Sequence, residues 1–226
     1  MCGRAYETYT DEEIYIAYRN RRPLRFTIGP NYNLCPTQIS PVLIVRDGER
    51  EVAPMRWGLV PAWAQDVKAA DKYSLINAKG EEIEFKRSYQ AALRARRCIV
   101  PVSGFFEWKR EAKQKTPFAI HLSNDPIMSL AGIWELWRSK ETGEEVTSFS
   151  IITTAANSFM ESIHNRMPVI LDRADEEAWL DPTNQNVADL KALLKPCNSE
   201  KLACFAVSNL VNSPRNNSPE VVAPAK

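Results

Sequence analysis

Apolar residues along this chain fall in short blocks, and most of those blocks read as strands. Val42-Leu43-Ile44-Val45 and a second run reaching Val52 flank Asp47-Gly48, the dipeptide favoured in a two-residue hairpin turn. Met55 to Trp57 continues as strand and then enters a loop around Pro61. Cys98-Ile99-Val100-Pro101-Val102 and Gly104-Phe105-Phe106-Glu107-Trp108 read as consecutive strands, followed by a charged loop from Lys109 to Lys115. Pro117 to Leu122, Ile127 to Trp137 and Val146 to Thr154 read as antiparallel strands, turning at Asn124-Asp125 and at Lys140-Glu141-Thr142-Gly143. Val169-Ile170-Leu171 and Leu202 to Val207 complete the set.

Helical signals are fewer. Thr10 with Glu13 three residues on is a capping box, predicting a helix through about Asn20. A helix is expected from about Glu81 to Ala95, acidic at its start and basic at its end, as the helix dipole favours. Shorter helices are expected over Ala155 to Ile163, from Asp172 through Leu180, and from Asn186 to Lys195, where Pro196 stops the last. Lys68 to Ser74 is polar and reads as mobile. Ser213 to Lys226, rich in Pro, Asn and Ser, reads as a surface-hugging or loosely packed tail. With no internal repeat and no clear linker, the expectation is one α+β domain over residues 1–226. Its core is a mainly antiparallel sheet or barrel flanked by short helices.

Composition narrows the function classes. The 226 residues are 44% hydrophobic and 25% charged, ordinary for a globular protein with a real core. A formal net charge of +1 gives no global signal for nucleic acid, so any such surface must be a local basic patch. Arg19, Arg21, Arg22 and Arg25 form one cluster that fits either a solvated face or a phosphate contact. Five cysteines without a CxxC, and only 2 histidines, argue against a disulfide framework or a zinc site; no metal or cofactor is expected. No signal-peptide pattern and no membrane-spanning run is present, so the expectation is a soluble, cytoplasmic monomer.

The chemistry gathers on Cys2. Removal of Met1 would leave Cys2 with a free α-amine beside its thiol, groups that titrate near about 8 and 8.5. Such an amine condenses with an aldehyde to an imine, and the thiol then closes on the same carbon to give a thiazolidine. An internal cysteine cannot do this. Three further residues, far apart in sequence, fit the same chemistry. Glu107 sits among aromatics, where a carboxyl holds its proton more tightly and can act as general acid and base. His164 can pass protons to a hydroxyl leaving group. Asn77 can orient an amine and a carbonyl oxygen through its amide. Each also has a structural reading: backbone hydrogen bonding for Asn77, an ion pair for Glu107, a helix C-cap for His164. Trp63 is either a core residue or a stacking platform for a base.

The segments MCGR, YNLCPTQ, RWGLVPAW, INAK, RCIVPVSGFFEWK, IITTAAN, IHNRMPVIL and VSNLVNSPRNNSPE resemble the SRAP family, the SOS response-associated peptidase proteins, in order and over nearly the whole chain. The resemblance implies capture of abasic sites in single-stranded DNA as a thiazolidine crosslink that protects the lesion during replication and repair. It implies Cys2 as nucleophile, Asn77 holding the linkage, Glu107 assisting ring opening of the deoxyribose, and His164 assisting imine and ring formation. It also implies lyase-like Schiff-base chemistry, self-removal of Met1 and a DNA-associated location. Arg4, Arg87 and Arg166 match its basic positions and Trp63 its wedging aromatic. The chain departs from the family at Lys79, where arginine is usual, at Gly80, expected to loosen the segment, and at Cys35, expected to pack as a small hydrophobe. Two alternatives stand beside this: an N-terminal-nucleophile thiol peptidase or amidase, and a non-covalent single-stranded DNA binder.

Overall fold

The computed structural model describes residues 2–19, 24, 26–111 and 114–225. Met1, Asn20, Arg21, Arg22 and Arg25, which figure in the expectations above, lie outside the described residues. In chain order the elements are β1 (Ala5–Glu7), α1 (Asp11–Tyr18), β2 (Asn31–Leu34), β3 (Ile39–Arg46), β4 (Glu49–Trp57), α2 (Val67–Asp71), β5 (Asn77–Lys79), α3 (Gln90–Ala95) and β6 (Arg97–Val102). There follow β7 (Gly104–Glu111), β8 (Gln114–Leu122), β9 (Met128–Arg138), β10 (Glu145–Ala155), β11 (Arg166–Pro168), β12 (Ile170–Leu171), α4 (Glu176–Leu180), α5 (Val187–Ala192) and β13 (Leu202–Ala206). The expected α+β class, with a mainly antiparallel core and short helices, describes this chain.

Local signals are realised as local structure. The Thr10 hydroxyl accepts from the Glu13 amide at 3.2 Å and the Glu13 carboxylate accepts from the Thr10 amide at 2.7 Å, closing the capping box that starts α1. Arg19 ends that helix in the left-handed region, with φ 49°. Asp47 and Gly48 both have positive φ, as the tight turn between β3 and β4 requires.

Five strands close into a barrel in the order β10, β4, β3, β6, β9 and back to β10; only the β10–β4 contact is parallel. The apolar run of β3 is buried on both faces. Leu43 packs with Ile14 and Tyr18 of α1, Leu93 of α3 and Trp179 of α4. Val42 and Ile44 pack in the opposite cluster with Phe105 and Ile120. Those two belong to a second sheet, ordered β13, β8, β7, β1, β2, which lies against the barrel. Continuous rather than alternating hydrophobicity follows from this double burial.

Several expectations are corrected. The strands around Pro117, Ile127 and Val146 do not form one meander: β8 pairs with β7 and β13, while β9 and β10 belong to the barrel. The charged segment from Lys109 continues β7 to Glu111 and resumes in β8 at Gln114. The helix expected over Glu81 to Ala95 is two pieces, a 3-10 turn at Ile83–Phe85 and then α3, because Lys86 adopts an extended conformation. That break brings the Tyr89 hydroxyl to the Asn77 carbonyl, 3.0 Å away. Lys68 to Asp71 falls in α2 and turns follow through Ser74, with Asp66 capping α2 through the Ala69 amide. Ala155 ends β10, and only Met160–Ser162 of the next segment turns as a 3-10 helix. Asp172 does not cap α4; it pairs with Lys201 instead. Asn186 does cap α5, which ends at Ala192. Gly80 is buried, and its amide donates to Thr153 at 2.9 Å, so the segment after β5 is held rather than loosened. From Ser213 to Ala225 the chain hugs the fold: Val221 is fully buried, and the Asn217 side chain accepts from the Tyr32 amide.

Two features of the second sheet generate predictions. A Cβ at Gly104 would lie 2.3 Å from the Tyr6 hydroxyl and 2.4 Å from the Ile120 carbonyl. Gly104→Ala should therefore cost about 1–3 kcal/mol by overpacking, read as a lowered denaturation midpoint. On β1, Glu7 is buried and accepts a hydrogen bond from Ser40; burial pushes its carboxyl up to about 8, against 4.5 in an unstructured chain. The folded form holds this proton more tightly, so its stabilisation is complete below the unfolded value and is lost as pH rises towards 8. Denaturant titrations should show the stability of wild type relative to Glu7→Gln falling as pH rises from about 5 to about 8.

Candidate functional site

Ser103 marks the corner where the chain leaves β6 in the barrel and enters β7 in the second sheet. There Gly104 pairs with Tyr6 and Phe105 with Ala5, and the Phe106 amide donates to the Arg4 carbonyl at 2.9 Å. This pairing lays the residues before β1 along β7 and seals Cys2 between barrel and sheet, where it is fully buried. Burial first, and then the negative charge of Glu107, push the Cys2 thiol up to about 12. The thiol and the carboxylate are thus electrostatic neighbours despite the length of chain between them.

Asn77 comes from the barrel side. It opens β5, which adds in parallel to β10 with Asn77 opposite Ile151. Its amide nitrogen donates to the Cys2 carbonyl at 2.8 Å. Its side-chain oxygen is buried and accepts no hydrogen bond among the described residues. Glu107 is 4% exposed on β7. It shares a cleft of about 440 Å³ with His164, Trp108, Arg110, Lys115 and Asn212. His164 Nδ1 lies 3.0 Å from the Arg166 amide nitrogen and 3.2 Å from the Arg166 carbonyl, contacts that fix the ring against the start of β11. The expected quartet is therefore brought into one region: Cys2 bonded to Asn77, Cys2 beside Glu107, and Glu107 facing a cleft with His164.

A neighbouring cleft of about 270 Å³ is lined by Asn77, Tyr73, Lys79, Glu82 and Lys86 among others. Tyr73 meets Trp63 edge-on at 5.5 Å, and the Arg87 guanidinium sits 5.6 Å from the Trp63 ring centre. Trp63 is 42% exposed, while Trp57 is fully buried. The other expected basic contacts are engaged with the protein. Arg4 donates to the Asn33 side chain at 3.0 Å and the Val211 carbonyl at 3.1 Å. Arg166 makes a two-pronged pair with Glu81 at 2.7 and 2.9 Å, which holds the Glu81 carboxyl below its ordinary range. Lys79 lies 3.6 Å from Glu82. Cys35 is buried against the Asn33 carbonyl, packed as expected. Among the described residues no three His, Cys, Asp or Glu side chains converge as a metal site.

Comparison with known proteins places the chain in a family. The sequence model of the SOS response associated peptidase (SRAP) family matches residues 1–214. The chain belongs to the SRAP family. It is 42% identical over 195 residues, 85% of each chain, to the abasic site processing protein YoqW of Bacillus subtilis. It is 34% identical over 234 residues to the abasic site processing protein HMCES of Pongo abelii, covering 86% of this chain and 65% of that protein. A crystal structure of a protein from Bacteroides thetaiotaomicron superposes with a TM-score of 0.89 at 32% identity, covering 100% of both chains.

Within this SRAP fold, the sequence reading missed the wall of the Glu107 cleft. Trp108 donates from its indole to Asn212 at 2.8 Å, tying β7 to the segment after β13. Arg110 and Lys115 had read as a solvated loop; the strand that carries Glu107 also carries Arg110, a signal visible once β7 is extended. Tyr89, which braces Asn77, had no signal of its own in a segment read as continuous helix.

Buried, protonated thiols alkylate slowly. Iodoacetamide at pH 8, followed by peptide mass mapping, should label half-buried Cys204 well before Cys2 and Cys98, both fully buried and both raised in pKa. In denaturant the order should vanish.

Proposed function

We propose that this protein captures abasic sites in single-stranded DNA as a covalent thiazolidine through Cys2 after loss of Met1. The observation that carries this is the Asn77 amide bound to the Cys2 carbonyl, beside a thiol that also feels Glu107. Membership of the SRAP family, with relatives named abasic site processing proteins, supports the substrate.

The geometry supports an order of events. Burial and the charge of Glu107 both favour the protonated thiol, so in this order of events the α-amine attacks first. Glu107 and His164 move protons as the deoxyribose opens to its aldehyde and as the carbinolamine loses water to give the imine. The unfilled side-chain oxygen of Asn77 accepts from the amine N–H and keeps the nitrogen aimed at the sugar. The thiol sulfur then adds to the imine carbon while its proton passes, by way of Glu107, to the nitrogen. Amine, thiol and aldehyde become one thiazolidine and one water, and no redox partner is needed. Exposed Trp63, flanked by Tyr73 and Arg87, offers a stacking face for an unpaired base, which supports a single-stranded substrate. A hydrolytic thiol would instead need a low pKa or a paired base, and burial works against the first.

Incubation with a single-stranded oligonucleotide bearing one abasic site should give a heat-stable crosslink with protein whose mass lacks Met1. Cys2→Ala should abolish it, and Glu107→Gln should slow it by about a hundredfold or more. An undiminished heat-stable crosslink in Cys2→Ala would rule the proposal out.

A further inference from the structure

The hairpin of β7 and β8 holds positive charge that no carboxylate among the described residues neutralises. Its register sets Arg110 directly across from Lys115, and Glu111 across from Gln114. Like charges opposed across an antiparallel pair repel. Glu111, next along the strand, is taken by Lys109, whose ammonium lies 2.6 Å from it. Among the described residues neither Arg110 nor Lys115 has a carboxylate partner. Both line the cleft that contains Glu107 and His164. The contrast with Arg4, Arg166 and Lys79 is one of availability: those cations are already engaged by Asn33, Glu81 and Glu82.

We propose that Arg110 and Lys115 form the seat for one backbone phosphate of the captured strand, flanking the sugar held at Cys2. This rests on the abasic-site reading above. A phosphodiester carries one negative charge shared by two non-bridging oxygens, which suit the fork of a guanidinium and the point charge of an ammonium. Filling the seat replaces cross-strand repulsion with attraction to a shared anion, so the hairpin itself favours the bound state. The seat also orients the sugar. With its neighbouring phosphate fixed at the outer wall of the cleft, the anomeric carbon is directed inward, towards Glu107 and Cys2. Arg110 and Lys115 are positioning residues; they touch the strand and not the reacting atoms.

The test separates the seat from the covalent step. In a Cys2→Ala background, equilibrium binding of the full chain to abasic single-stranded DNA is measured by fluorescence anisotropy across a salt series. Adding Arg110→Gln and Lys115→Gln should weaken binding by about tenfold and reduce the slope of log affinity against log salt by about 0.7, the value for one phosphate on a single strand. Phosphates near the lesion are then replaced one at a time by uncharged methylphosphonate. One linkage beside the lesion should weaken the parent protein by a similar factor and leave the doubly substituted protein unchanged. Equal losses in both proteins at every linkage, or an unaltered affinity and salt slope, would overturn the seat. Lys115→Glu gives a third arm, because it turns the repelling pair into an attracting one: thermal stability should rise while DNA affinity falls. A more stable variant that binds DNA as tightly as the parent would also overturn it. Crosslinking by otherwise unaltered protein against Cys2→Ala judges the capture reading separately, so either can fail alone.

Discussion

The pairing of β1 with β7 is the contact on which the rest of the site depends. It closes only because Gly104 lacks a side chain and lets the Tyr6 ring and the Ile120 carbonyl into the space a Cβ would fill. Without it the residues before β1 would be a frayed terminus, as the ends of most chains are. With it, the Phe106 amide takes the Arg4 carbonyl and Cys2 is carried under the sheet, out of water and beside Glu107. One backbone pairing thus converts a terminal cysteine into a buried one, and the conversion changes its chemistry by desolvation first and by the charge of Glu107 second.

The barrel supplies the other half. β10 pairs with β4 and then, further along, with β5 and β11. Asn77 lies on β5, and His164 lies two residues before β11. One long strand therefore scaffolds both residues that face the second sheet. The β5 side is braced by Tyr89 and the β11 side by Arg166, which also grips the Thr153 carbonyl of β10 at 2.8 Å. Arg166 is thereby a structural clamp as much as a cation, and its bidentate pairing to Glu81 has the geometry that makes such pairs worth more than an ordinary surface ion pair.

What was legible in the sequence follows how local the physics is. The Thr10–Glu13 capping box and the Asp47-Gly48 hairpin depend on neighbours a few residues away, and both were readable. The sheet to which a strand belongs depends on distant partners. The runs ending at Val102 and beginning at Gly104 look alike, yet they enter different sheets across Ser103. The break at Lys86 was hidden for the same reason: helix propensity favours continuity there, and a tertiary contact between Tyr89 and Asn77 accompanies the interruption. Of the site, Cys2 was legible from its position and chemistry. The convergence of Asn77, Glu107 and His164 on it was legible only through family resemblance. Arg110 and Lys115 were hidden because a charged hairpin and a solvated loop share a composition.

A thiol that is buried and protonated trades general reactivity for selectivity. It is a poor nucleophile towards anything in solution, since ionising it beside Glu107 in a dry pocket is costly. In the proposed capture it becomes effective only after the α-amine has bound a carbon within its reach, when closure is intramolecular and the thiol proton has a nearby acceptor. Under that proposal no low-pKa thiolate is needed. The proposal shifts the burden to delivery of the aldehyde carbon to the mouth of the pocket, by groups outside it: an exposed aromatic face at Trp63 on one side, and cations without carboxylate partners among the described residues on the other. Cations already paired with carboxylates deliver poorly, because each phosphate contact must first break an ion pair. In the proposed capture, the distribution of spent and unspent charge around the cleft therefore bears on substrate delivery as directly as the buried quartet bears on bond formation.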